Sequence, residues 1–198
     1  MFAYLFCLAA IATVGNGFLL DTVFGAPPRT VQSLDLNKYL GRWFQMYASQ
    51  SVITLWENNA FCVTADYELG SSGNVTVLNS ERLQNATGPL KVIHGYATPT
   101  GEPGKFTVKL EMVPIAAPYW VLKLGPATYG ETGQYHYSVV SDNVRGTLFV
   151  LARDPETFRR DYATEVEEFL KSAGFTHFYN KYIITYHGMD CVYNANHH

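Results

Sequence analysis

The sequence is short of charge. Lys, Arg, Asp and Glu make up 16% of its 198 residues and leave a formal net charge of -3. It therefore offers no basic surface able to neutralise a phosphate backbone, and nucleic acid is not an expected partner. It also lacks the patterns that carry common chemistry. There is no Gly-x-Ser-x-Gly, no phosphate-cradling glycine loop and no clustered carboxylate pair, which removes the usual machinery of hydrolysis and phosphoryl transfer. The six histidines, His94, His136, His177, His187, His197 and His198, show no ligand spacing with cysteine or carboxylate, so no metal is expected. No residue is assigned a catalytic role.

Long apolar runs are missing too. The fully apolar part of residues 2–20 is shorter than the ~18 residues needed to span a bilayer, and Gly15-Asn16-Gly17 interrupts it. That composition reads as a secretory signal. Residues 1–25 are set aside as a signal peptide, with cleavage between 17 and 26, and the product is expected to be secreted and extracellular rather than membrane-spanning.

Cysteine is scarce, with three in the chain. Cys7 falls inside the signal, which leaves Cys62 and Cys191 as an even pair on an oxidising route, expected to be bonded. Asn74-Val75-Thr76 and Asn85-Ala86-Thr87 are glycosylation acceptors that agree with export.

What the sequence does have is apolar and aromatic: 47% hydrophobic residues, with 14 Tyr, 12 Phe and 3 Trp. Aromatic side chains suit pleated surfaces and pocket walls. Short alternating or dense apolar runs recur at 42–48, 61–69, 75–81, 90–97, 105–112, 119–124, 135–141 and 147–152, separated by Gly, Pro, Asn and Ser clusters. These are eight candidate strands joined as hairpins.

One segment reads as a helix. Asp154 caps it, Pro155 opens it, Phe158, Tyr162, Val166, Phe169 and Ala173 share a face, and Gly174 ends it. Strands without intervening helices exclude a doubly wound α/β fold. The fold class is all-β: an eight-stranded antiparallel up-and-down barrel with one C-terminal flanking α-helix, which leaves no exposed sheet edge. A β-sandwich with an appended helix is the competing arrangement.

The run Leu36-Asn37-Lys38-Tyr39-Leu40-Gly41-Arg42-Trp43 resembles the lipocalin signature. So, in order, do Cys62-Val63-Thr64-Ala65-Asp66-Tyr67, Ala117-Pro118-Tyr119-Trp120 and Leu151-Ala152-Arg153-Asp154-Pro155. Taken together they are similar to the apolipoprotein D-like and bacterial-type lipocalins. The resemblance implies a domain over 33–193 with a flexible tail at 194–198. It implies a barrel floor built by Gly41, Trp43 and Arg153, with the guanidinium over the indole face. The segment Leu124-Gly125-Pro126-Ala127-Thr128-Tyr129 departs from the family's usual Thr-Asp-Tyr, which leaves the register of 125–141 open.

Strand alternation then assigns a cavity face. An inward Trp43 brings Gln45 and Tyr47 inward. An outward Cys62 turns Val63, Ala65 and Tyr67 inward, and an outward Asn74 does the same for Val75, Val77 and Asn79. By resemblance the lining extends to Ile93, Gly95, Phe106, Val108, Leu110, Trp120, Leu122, Phe149 and Leu151. The expected polar contacts are Gln45, Tyr47, Tyr67 and Asn79, with ligand choice near the mouth.

The resemblance implies a carrier of a small hydrophobic ligand, such as a retinoid, sterol, fatty acid or tetrapyrrole, with no obligatory cofactor. It also leaves room for a cell-surface receptor or the extracellular matrix as a partner. An extracellular structural or matrix-associated protein with a filled barrel is the alternative. A lipocalin-type isomerase ranks last.

Overall fold

The computed structural model describes residues 26–111 and 113–195. The expected signal peptide, Cys7, His197 and His198 lie outside the described residues. The chain first makes a single short turn, α1 (Leu36–Tyr39), capped by Asp35, whose carboxylate accepts from the Asn37 amide. It then enters β1 (Gly41–Ser49) through Gly41 at φ +92°. A Cβ there would sit 3.3 Å from an Arg153 nitrogen, so both the backbone conformation and the space demand glycine.

The meander continues through β2 (Ala60–Leu69), β3 (Val75–Leu83), β4 (Leu90–Pro99), β5 (Lys105–Leu110) and β6 (Ala117–Leu124). A small hairpin, β7 (Ala127–Tyr129) with β8 (Gln134–Tyr135), interrupts it before β9 (Tyr137–Ser141) and β10 (Leu148–Ala152). Strands β1 to β6, β9 and β10 pair antiparallel in order, and β10 pairs back to β1. This is the expected closed eight-stranded barrel. The uncertain 125–141 segment resolves into the β7–β8 hairpin followed by β9, whose residues are all buried.

Two departures shape the mouth. In β1 the pairing slips between Gln45 and Tyr47, a bulge that places one extra residue in the strand. On that strand's other edge, Gly41–Phe44 pair with β2, whereas Tyr47–Ser49 pair with β11 (Tyr182–Ile184). β2 therefore leaves β1 halfway up the barrel, and a C-terminal strand that the sequence did not reveal takes its place. The second departure is α2 (Gln50–Leu55), capped by the Ser49 hydroxyl. It stands where the apolar pattern predicted a plain connection.

The flanking helix begins as expected. The Asp154 carboxylate caps α3 (Pro155–Thr157), which runs through a π-helical turn (Phe158–Tyr162) into α4 (Ala163–Ser172). Gly174, at φ +91°, ends it. The π turn shifts the phase of the apolar stripe, so Leu170 is buried alongside Phe158 and Val166.

Among the described residues two apolar cores form. One lies between the helix and the outside of the barrel, around Met46, Tyr137, Val139 and Val150. The other fills the barrel's closed end around Trp43, Tyr39, Tyr67 and Leu151.

The chain then turns back as a strap across the outside of β1 and β2. Cys191 is bonded to Cys62. Phe44 packs edge-on against His187 and Tyr193. Asn194, assigned from sequence to a flexible tail, is buried instead. Its amide donates to Ser80 Oγ at 3.1 Å and its carbonyl accepts from Arg42. The ordered domain also starts earlier than residue 33, since the Val31 amide donates to the Val121 carbonyl.

Candidate ligand-binding cavity

The closed end is assembled by chemistry the sequence named. Trp43 is fully buried and donates through its indole N–H to the Tyr39 carbonyl at 2.8 Å. The Arg153 guanidinium lies 3.6 Å from the Trp43 ring centroid. It also donates to the carbonyls of Lys38, Tyr39, Leu40 and Arg42. Burial lowers the Arg153 pKa to about 10, opposed by the nearby Tyr39, so the cation persists at neutral pH.

Above this plug the barrel is hollow. A cavity of about 520 Å³ is lined mainly by apolar side chains. Of the residues assigned to it from sequence, Gln45, Ala65, Tyr67, Val77, Asn79, Ile93, Val108, Leu110 and Phe149 all lie on its wall. Cys62 and Asn74, which set this register, lie on the outer side of the barrel. Cys62 meets the strap, and Asn74 ends the Gly70–Asn74 turn, with its side chain accepting from Thr98 on the outside.

Three assignments to the cavity face are corrected. Tyr47 lies on the outside of the barrel, stacked on Tyr182 and edge-on to Phe158, with its hydroxyl donating to Glu167 at 2.8 Å. The bulge between Gln45 and Tyr47 inverts the alternation at that point. Trp120 and Leu122 also face outward, among the residues that pack with the helix, and Lys105 caps the Trp120 ring at 4.4 Å. The resemblance placed this strand one residue out of phase. The inward residue is Tyr119, opposite the inward Phe106.

Tyr67 is a wall residue but belongs to the floor rather than the mouth. Its ring stacks on Tyr39, and the Tyr39, Tyr67 and Tyr119 hydroxyls join in a chain, with Tyr39–Tyr119 at 2.8 Å and Tyr67–Tyr119 at 3.2 Å. Tyr39 also bonds Ser138. Burial pushes the Tyr39 phenol up to about 12 and raises Tyr67 and Tyr119 as well. All three stay neutral, and they satisfy one another.

The opposite end is the mouth. Leu55 and Trp56 at the end of α2, with Ile115 between β5 and β6, line the cavity and remain 47%, 48% and 40% exposed. Just inside them sit Gln45, Glu57, Glu81 and Lys91. Gln45 Nε2 donates to Glu57 Oε2 at 2.6 Å, and Lys91 Nζ donates to Glu81 Oε1 at 2.6 Å. Glu57 is half-buried on the cavity wall. Burial there, with Glu81 adding to it, pushes its carboxyl up to about 7 against the opposing effects of Gln45 and Lys91.

Sequence reasoning missed Tyr119, Trp56 and Glu57. Tyr119 could have been found by pairing 105–110 with 117–120. The other two stand in a connection whose geometry no periodicity encodes. Among the described residues no group of His, Cys, Asp or Glu is arranged to hold a metal ion, and no helix is long and apolar enough to cross a membrane.

A closed antiparallel barrel, plugged at one end and hollow behind the plug, defines a hollow β-barrel protein. Residues 34–184 match the family model for a Lipocalin-like domain. Apolipoprotein D of Macaca fascicularis is 37% identical over 132 residues, which covers 66% of this chain and 64% of that protein. Apolipoprotein D of Bos taurus is 38% identical over 97 residues, 48% of each chain. The chain thus spans from about half to somewhat under two thirds of the length of these curated relatives.

Among solved structures, insecticyanin from the tobacco hornworm Manduca sexta superposes with a TM-score of 0.59 at 15% identity, covering 83% of this chain and 87% of that one. Lobster apocrustacyanin A1 superposes with a TM-score of 0.57 at 17% identity, covering 84% and 92%. These two likenesses concern the fold. The chain belongs to the lipocalin family and is apolipoprotein D-like.

Proposed function

We propose that the protein is a secreted extracellular carrier that holds one small, mainly apolar molecule inside its barrel. The observation that carries this reading is the cavity of about 520 Å³, open past Trp56 and closed by Trp43. Its size falls in the ~300–1,000 Å³ range of small-molecule pockets, and its apolar wall with a few polar groups is the composition such pockets have. A retinoid, sterol, fatty acid or tetrapyrrole would bury its body there. The hollow barrel counts against a filled structural one. Export is supported by the Cys62–Cys191 bond, which suits an oxidising compartment. Asn85, exposed in the connection after β3, is the better placed of the two glycosylation acceptors.

Titration of the folded, disulfide-bonded protein with retinol, arachidonate and biliverdin, followed by tryptophan emission, tests carriage. A saturable change with at least one is expected. Three flat titrations would overturn the reading.

A further inference from the structure

We propose that the mouth of the cavity is a seat for an ammonium group, so that the preferred ligand is a cationic amphiphile: a long-chain amine whose apolar body fills the barrel. This deepens the carrier reading and rests on it. Three ionisable side chains reach the mouth from three elements: Glu57 from the connection after α2, Glu81 from β3 and Lys91 from β4. The register places Glu81 directly opposite Lys91, and the 2.6 Å contact commits the ammonium of Lys91 to Glu81. Glu57 receives its hydrogen bond from the neutral amide of Gln45.

Two carboxyl groups thus share one cation. The nearest other basic residue in sequence, Arg82, is turned outward and donates to the Val192 and Gly88 carbonyls. Arg42, on the same strand as Gln45, is held outside by Asp66. When Glu57 ionises, the mouth is one positive charge short, in surroundings where an unpaired charge is costly.

A ligand ammonium supplies that charge as a charge-assisted hydrogen bond, roughly twice as strong as a neutral one. A carboxylate head group would instead have to compete with Glu81 for the Lys91 ammonium, with Glu57 beside it. The side chains around the seat, Val52, Leu55 and Trp56, suit a methylene chain. At the far end the tyrosine hydroxyls already satisfy one another, so the floor asks for an apolar tail.

Burial holds Glu57 near pH 7 when no cation is present. An ammonium that binds the carboxylate must displace its proton, so amine affinity rises with pH through that region. A ligand amine of ordinary pKa, similar to that of lysine, stays protonated throughout.

Calorimetric titration of the disulfide-bonded protein with decylamine, decanol and decanoate, at pH 8 and pH 6, tests the seat with one body and three head groups. Decylamine is expected to bind tightest at pH 8 and to lose about tenfold by pH 6, while decanol changes little. In Glu57→Gln, a far-UV circular dichroism spectrum that matches the parent protein reports an intact barrel. The amine's advantage should fall by about tenfold or more, together with its pH dependence.

If decanol or decanoate binds as tightly as decylamine at pH 8, or if Glu57→Gln keeps the amine preference, the seat is overturned while carriage stands. If none of the three binds and the retinol, arachidonate and biliverdin titrations are also flat, carriage itself falls.

Discussion

The Arg153 guanidinium lies 3.6 Å from the Trp43 ring centroid and at the same time donates to four main-chain carbonyls at the end of α1 and the start of β1. A helix of four residues leaves its last carbonyls without intrahelical partners, and one planar cation gathers them over the plug. Arg153→Met should lower stability by about 3 kcal/mol, since buried acceptors lose charged donors and the indole loses its cation. Arg153→Lys should recover only part of this, because a point charge cannot serve the same fan of acceptors. Urea denaturation measures both. A loss under about 1 kcal/mol for the Met variant would contradict the role given to Arg153.

Cys62 and Cys191 are 129 residues apart, and the bond secures the strap where β2 has parted from β1. The Cys62 amide also donates to the Tyr186 carbonyl. In the chain-entropy account, closing so long a loop contributes up to about 5 kcal/mol, and strain reduces the realised value. The double variant Cys62→Ala/Cys191→Ala should therefore lose about 2 to 5 kcal/mol. Hydrogen exchange should show the β11 amides losing protection before those of β9 and β10. Equal loss across all strands would mean that the strap is not held by this bond.

Most of the barrel could be read in the sequence because alternation is local and its phase was pinned at three points. Trp43, Cys62 and Asn74 fixed which residues of β1, β2 and β3 face inward, and Ala65, Val77 and Asn79 followed. In β1 the reading failed where the strand carries an extra residue. A bulge costs little locally and leaves no compositional mark, so Tyr47 was carried past Gln45 onto the wrong face. Trp120 was placed by resemblance rather than by a neighbouring strand, and one residue of phase put it outside. β11 and Glu57 depend on where the chain returns in space, which is a tertiary fact. Neither the three residues of β11 nor a lone carboxylate in a connection gives a sequence pattern to read.

His187 is buried, and its Nε2 lies 2.9 Å from the Gln45 carbonyl while Nδ1 lies 2.9 Å from the Tyr193 hydroxyl. The carbonyl can only accept, so Nε2 carries the proton and Nδ1 accepts from tyrosine. Burial lowers the His187 pKa to about 4 from 6.5. The unfolded chain therefore takes up a proton first on acidification. The stabilising contribution is present above the unfolded value and lost as pH falls from about 6.5 to about 4, by roughly 3 kcal/mol at most. Thermal denaturation of His187→Gln should show a flatter slope across that window than the parent protein. An unchanged slope would rule out His187 as its source.

Glu57 works in the opposite direction. Its folded value of about 7 stands above the ordinary 4.5. The favourable balance is complete below the unfolded value and is lost as pH rises through about 7. Replacing it by Gln keeps an oxygen for Gln45 and removes the titration. Glu57→Gln should thus be more stable than the parent protein at pH 8, by about 1 to 3 kcal/mol, relative to their difference at pH 4. Paired urea denaturation curves at the two pH values provide the measurement. A variant that loses stability at pH 8 relative to pH 4 would show that the carboxylate is stabilised in the folded chain.

Trp56 and Trp120 should report differently on an occupied barrel. Trp56 lines the cavity at its mouth and is 48% exposed, so a bound ligand changes its surroundings directly. Trp120 lies outside the barrel wall against the helix core, beneath the Lys105 ammonium. Trp43 is sealed under Arg153 and donates to the Tyr39 carbonyl, away from the cavity wall. Trp56→Phe should therefore abolish most of the emission change on ligand binding while leaving the affinity within about threefold, because Phe keeps the apolar contact. Trp120→Phe should leave the change intact. The reverse pattern would place Trp120 on the cavity face and overturn the register of β6.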